Sequence, residues 1–199
     1  MAAGDLTTLT NLKDYMQLPV NDTSNDTTLS RLITAISAWF LTQTNRDTIL
    51  SQSFTENRNG TGGNIINPFN WPLSAVASVT VDGVSIPQSI NGAPGFAFDD
   101  YSIYLVGQSR GYFRDCMYRF NRGFGNVQLV YTAGYASTPG DVEQAVLDQV
   151  VFTFRRQPNM GTVSQSANGI LTTTFSQKDI APGVQQVVDY YKDRTVVGI

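Results

Sequence analysis

From Asn126 to Arg156 the chain carries an alternating strand, a turn and a helix whose start is written in its residues. Val127, Leu129 and Tyr131 share one strand face. Thr132-Ala-Gly-Tyr135 makes the turn, and Thr138-Pro-Gly-Asp141 opens the helix. Thr138 supplies the cap, Pro139 the first position and Asp141 an acid in the first turn. Within this helix Val142, Ala145, Val146, Leu147, Val150, Val151 and Phe154 leave little polar surface before Arg155-Arg156 and the stop at Pro158. A helix apolar over so much of its circumference needs cover on more than one side. The chain's own sheet, neighbouring subunits or both can provide it, and subunits are the preferred reading. On that basis Trp39, Phe40, Val146, Val150 and Phe154 are candidates for subunit packing.

Composition narrows the chemistry. At 199 residues the chain suits one domain with a substantial core. Only 15% of residues are charged and the net charge is -3, which argues against a general nucleic-acid binder with a broad basic face. There is no histidine, so histidine-activated nucleophiles, histidine-ligated zinc and imidazole acid–base catalysis are excluded. Cys116 stands alone, which rules out an intrachain disulfide or a cysteine-cluster metal site. No apolar run is long enough to span a membrane and no signal-peptide pattern opens the sequence. No cofactor, metal or catalytic residue is assigned.

Elsewhere the pattern switches between two periods. A short helix around 9–17 is followed, from Asn25 or Asp26, by a long one carrying Leu29, Leu32, Ile33, Ile36, Trp39 and Phe40. After Arg46 the chain reads as β from about 47 to 131. Asp82-Gly83 forms a two-residue hairpin turn between Val76–Val81 and Val84–Ile86, and Phe96–Val106 is read as one strand. Residues 159–176 read as an extended β-arm, and a last helix begins near Ala181-Pro182. The expected class is therefore α+β, with N-terminal and C-terminal helices packed as a small bundle and a central antiparallel β segment.

Several segments invite functional readings. Asn59-Gly-Thr-Gly-Gly63 has the glycines of a phosphate loop but no following Lys-Ser or Lys-Thr and no helix, so an inter-strand turn is expected. Asp99-Asp100, with Asp115 or Asp82, lacks the ligand spacing of a cation site and reads as solvated turn acids. Residues 110–124 interleave Arg110, Arg114, Arg119 and Arg122, against one acid at Asp115, with Tyr112, Phe113, Tyr118, Phe120 and Phe124. Arg110, Tyr112, Arg114, Tyr118, Arg119 and Arg122 are thus candidates for a protein interface or a DNA-channel contact, with an ordinary amphipathic ribbon as the third reading.

The strand, the Tyr131-Thr-Ala-Gly-Tyr135 turn, the Pro139-Gly-Asp-Val142 helix start and the paired arginines resemble the head-tail connector (adaptor, or head-completion) proteins of tailed bacteriophages. Thr8–Leu18 with Asp26–Leu29 and Leu32-Ile33 resembles that family's N-terminal helices, and Trp71–Val76 with Ser78-Val79 and Val81-Asp-Gly83 resembles its hairpin. Residues 108–125 and 159–176 depart from the pattern. The resemblance implies a single adaptor domain over 1–199 and a ring of about 12 copies at the virion neck. Its implied partners are the portal protein, a stopper or tail protein, and genomic DNA passing through the lumen without sequence-specific binding; no membrane is involved. Ile170, Phe175, Val197 and Ile199 are then candidate portal contacts. From another class, a carbohydrate-binding module with Tyr101, Tyr104, Tyr112 and Tyr118 as stacking platforms is the alternative.

Overall fold

In the computed structural model the described residues are 4–107, 118–156, 164–167, 171–174 and 180–192. They divide into two compact units. Residues up to Asp47 and from Thr138 to Lys192 form a helical unit, and Thr48–Ser137 form a β unit.

The helical unit comprises α1 (Leu9–Tyr15), α2 (Asp26–Thr44), α3 (Gly140–Arg156) and α4 (Val184–Tyr191), together with a ribbon of β8 (Ser164–Ala167) and β9 (Leu171–Thr174). The Thr8 hydroxyl accepts the amide of Asn11 at 3.0 Å and so caps α1. Asn45, at φ 54°, closes α2 by donating its amide to the carbonyls of Leu41 and Thr42. The i, i+3 and i+4 spacing expected of α2 buries Leu29, Leu32, Ile33, Ile36 and Phe40 on one face. In α3 the first i to i-4 bond runs from the Glu143 amide to the Pro139 carbonyl at 2.9 Å, which agrees with proline at the helix start.

Helix α2 contacts α1, α3 and α4, and α3 contacts α4. Polar groups fix these contacts. Glu143 Oε1 accepts from Thr7 Oγ1 at 3.0 Å and from Asn11 Nδ2 at 2.6 Å, while Tyr15 donates its hydroxyl to Asp148 Oδ1 at 2.6 Å. Positions 7, 11 and 15 lie one helical turn apart, so this side of α1 is matched to α3. Toward α4 the Tyr191 hydroxyl donates to Asp141 Oδ1 at 2.9 Å, and buried Gln149 accepts the Ala181 amide at 2.9 Å. Buried Lys13 holds the α1–α2 linker: its ammonium donates to the carbonyls of Val20 and Asp22 at 3.1 and 2.8 Å and pairs with Asp26 at 2.6 Å. An ammonium placed there needs those partners, because a buried charge without them would be strongly disfavoured.

In the β unit, β1 (Gln52–Gly60), β7 (Gly123–Ala133), β3 (Leu73–Val81) and β4 (Val84–Ile86) form one antiparallel sheet in the order β1-β7-β3-β4. A second antiparallel sheet has the order β2-β6-β5, built from β2 (Ile65–Ile66), β6 (Ile103–Val106) and β5 (Gly95–Phe98). Val81 pairs with Val84 across Asp82 and Gly83, at φ 52° and 78°, so the expected two-residue turn forms with both central residues left-handed. One core draws on both sheets, with Val79, Ile103, Leu105, Phe120, Val127, Leu129 and Tyr131 at 1% exposure or less.

The single strand expected over Phe96–Val106 is instead the β5–β6 hairpin. Asp99 causes the reversal: its Oδ1 accepts the amides of Tyr101 and Ser102, both at 2.8 Å, and its Oδ2 accepts the Tyr104 hydroxyl at 2.6 Å.

The Tyr131 hydroxyl lies inside this core and donates to Glu56 Oε2 at 2.6 Å while accepting the Asn70 amide at 3.3 Å. Burial and, secondarily, the Glu56 carboxylate push its pKa well above that of a free phenol. Tyr131→Phe leaves Glu56 and Asn70 short of a partner, so it is expected to lower stability by about 1–3 kcal/mol in urea denaturation while near-ultraviolet dichroism stays native-like.

Candidate functional site

At one end of the first sheet the chain brings together the Asn59–Gly63 loop, the Asp82-Gly83 turn and the stretch from Tyr118 to Gly125. Each is held by hydrogen bonds to the others. The Gly62 amide donates to the Phe120 carbonyl at 2.6 Å, and the Phe120 amide returns to the Gly63 carbonyl at 2.9 Å. Asn126 joins three segments: its Oδ1 accepts the Gly60 amide, and its Nδ2 donates to Asp82 Oδ1 and to the Asn121 carbonyl, all at 2.9 Å. Asn121 Nδ2 donates to the second oxygen of Asp82 at 2.8 Å, and Asn59 Oδ1 accepts the Gly125 amide at 2.7 Å. These bonds, Asn121's first, hold the Asp82 carboxyl below its ordinary value of 3.8.

The glycine-rich loop is thus an inter-strand turn, as expected. The amides of Gly60, Gly62 and Gly63 go to Asn126, Phe120 and Thr61, so they do not converge on an anion as a phosphate cradle requires. Gly60 is required by crowding: a Cβ there would overlap the carbonyl oxygen of Asn121.

The basic and aromatic segment is split by burial. Phe120 is a core residue at 0% exposure, and Tyr118 is half-buried against the same core. Arg119 and Arg122 are exposed, and Phe124 is 94% exposed, an unusual position for a large apolar ring. Arg122 Nε reaches the Thr61 carbonyl at 3.4 Å. Tyr118, Arg119 and Asn121 line a groove of about 270 Å³ with Val81, Val84 and Ile86. Arg110, Tyr112 and Arg114 lie outside the described residues, as do Asp115 and Cys116. The asparagine and aspartate framework was not apparent in the sequence, because Asn126 and Asp82 are 44 residues apart.

The candidate packing residues also separate. Phe40, Val146 and Val150 are at 0% exposure in the folded chain, where α2, α3 and α4 already pack together. The apolar breadth of α3 is therefore covered in large part by the chain's own helices, and Trp39 and Phe154, both half-buried, keep surface to offer. In the 159–176 region the expected β-arm contains an antiparallel ribbon with Ser164 opposite Thr174 and Ala167 opposite Leu171. Ile170, Phe175, Val197 and Ile199 are outside the described residues.

Of the tyrosines considered for sugar stacking, Tyr101 sits 5.5 Å from the Trp71 ring and Tyr104 is tied to Asp99, whereas Tyr118 packs on the core. Tyr112 is outside the described residues. Asp82 lies at one end of the sheet and Asp99-Asp100 at the other, since the Leu73 amide donates to the Asp100 carbonyl and Leu73 pairs with Ala133. They cannot share a cation.

The sequence matches the profile of the head completion protein family over residues 5–194. Its fold is similar to a chain from the neck of an empty gene transfer agent particle, computed with C6 symmetry, at 17% identity and a TM-score of 0.53, covering 100% of this chain and 96% of that one. A chain from the virion of a native gene transfer agent particle is similar at 17% identity and a TM-score of 0.56, covering 100% and 95%. A third, from the neck of a native particle computed with C12 symmetry, gives 16% identity and a TM-score of 0.52, covering 100% and 96%. No curated protein is a significant match.

Gly60→Ala is expected to cost about 1–3 kcal/mol in thermal or urea unfolding, because the obstruction is backbone and cannot rotate away. The lowered pKa of Asp82 means that its contribution is fully present above pH 3.8 and is lost as pH falls through the lower folded value. In a carboxyl-resolved NMR titration Asp82 should titrate below 3.8. Asn121→Ala should move that titration upward.

Proposed function

Because the chain belongs to the head completion protein family, we propose that it is a structural protein of the neck of a tailed-phage or phage-like particle. Copies form a ring beneath the portal, lengthen the DNA channel and give the stopper or tail its platform. The observation that carries this is the family match across nearly the whole chain, from residue 5 to 194. Neck chains of similar fold come from particles whose structures were computed with C6 and C12 symmetry, which supports a ring of about twelve copies.

The physical make-up suits that work. A channel wall must let DNA slide without holding it, and a net charge of -3 provides no general attraction for phosphate. Head-to-tail copies close into a ring through unlike surfaces, so each copy needs two different faces rather than one self-complementary patch. This role requires no catalytic group, no cofactor and no metal, and its location is the head–tail junction of the particle.

Particles produced without this protein are expected to yield heads that lose their DNA and carry no tails, seen by negative-stain microscopy and by nuclease sensitivity of the packaged genome. Heads that keep their DNA and attach tails at the normal rate would overturn the reading.

A further inference from the structure

The two ends of the β unit's larger sheet differ in charge, and both present exposed aromatic rings. Strand β7 runs 11 residues from Gly123 to Ala133, which separates its ends by roughly 33 Å. At the first end stand Arg119, Arg122 and Phe124, all exposed. Asp82 is there too, but both of its oxygens are engaged by Asn121 and Asn126. At the second end stand Asp99, Asp100 and Tyr101, likewise exposed, next to Trp71. Asp99 is committed to its own turn, whereas the Asp100 carboxylate makes no hydrogen bond or ion pair among the described residues. Nor does the Arg119 guanidinium. A phenylalanine ring that is 94% exposed, at a sheet end that also carries two exposed arginines, has the composition of an interface anchor, and a tyrosine following two exposed aspartates is its chemical counterpart.

We infer that the Arg119–Arg122–Phe124 end of one copy docks on the Asp99–Asp100–Tyr101 end of a second copy of this chain. Complementary charge selects the second copy as occupant, because the cationic and anionic patches are both present on every copy, one at the Gly123 end of β7 and the other in the β5–β6 turn, which the Leu73 amide ties to the opposite end of that sheet. Such a contact pairs unlike surfaces, so a joined pair keeps one free patch of each kind, one on each copy, and can take a further copy at either side. That is the heterologous geometry a ring requires. The inference rests on the ring reading above, for which it names the contact surface.

The test uses purified particles and two kinds of variant. Arg119→Asp is expected to reduce the copies incorporated per particle by about tenfold, because like charges would then face each other across the contact. Asp100→Arg should do the same, and the chain carrying both substitutions should recover normal incorporation. In a Cys116→Ser background, Arg119→Cys with Asp100→Cys should give a ladder of cross-linked multimers with a short bismaleimide, and either cysteine alone should give none. Dimers from a single cysteine would show like ends meeting and would overturn the inference. Full incorporation of the double-cysteine chain with no ladder would also overturn it, placing the contact elsewhere while leaving the ring intact. If particles carry the wild-type chain without multiple copies, the ring reading itself falls, and this inference with it.

Discussion

Strand β7 is the constraint on which the β unit rests. It pairs along its length with β1 on one side and β3 on the other, so its register sets theirs. Its alternate residues Val127, Leu129, Tyr131 and Ala133 are all at 1% exposure or less, and a slip by one position would turn every one of them to the opposite face. Burying Tyr131 has a further consequence, because its hydroxyl must find partners in the interior. Glu56 and Asn70 supply them, Glu56 pairs with Arg58 at 3.3 Å, and the Arg58 guanidinium lies 3.9 Å above the Phe69 ring. One core tyrosine is thereby linked to side chains of β1 and to the Phe69-Asn70 stretch.

In a chain with few charges, hydrogen bonds from amides and hydroxyls to carboxylates and carbonyls do much of the fixing. Asn126 closes the sheet end by serving Gly60, Asp82 and Asn121 at once, and Asp99 shapes a hairpin through three acceptances. The helical unit follows the same logic, with Thr7, Asn11 and Tyr15 set against Glu143 and Asp148. Where a full charge is buried, at Lys13, it is surrounded by two carbonyls and a carboxylate. Such directional bonds specify one arrangement more sharply than apolar contact does.

For a member of the head completion protein family the distinction between buried and displayed residues separates those that hold the fold from those free to meet other chains. Phe40, Val146, Val150 and Phe120 are buried inside the chain. Among the exposed groups of the β unit, Arg119, Arg122 and Phe124 stand at one end of the larger sheet, and Asp99, Asp100 and Tyr101 stand near the other. Exposed Phe124 is disfavoured in water by the apolar area it leaves hydrated, and burial against a partner would release that water.

Elements with a local cause were legible in the chain's own residues. The 3.6-residue spacing of Leu29 to Phe40 gave α2, the two-residue alternation of Val127 to Tyr131 gave the centre of β7, and Asp82-Gly83 gave its turn through left-handed backbone angles that both residues tolerate. The antiparallel α+β class followed from their order, and family motifs were readable because they consist of such caps and turns. Which strands are neighbours was settled by long-range pairing, since β1 pairs with β7 across 62 intervening residues that include the smaller sheet. Tertiary packing also settled that Phe120 is core while Phe124 is surface, although both read as aromatics in one basic segment, and that Asn126 rather than any glycine organises the glycine-rich loop. Those outcomes depend on partners far apart in the chain, and local propensity cannot encode a hydrogen bond whose acceptor lies 44 residues away.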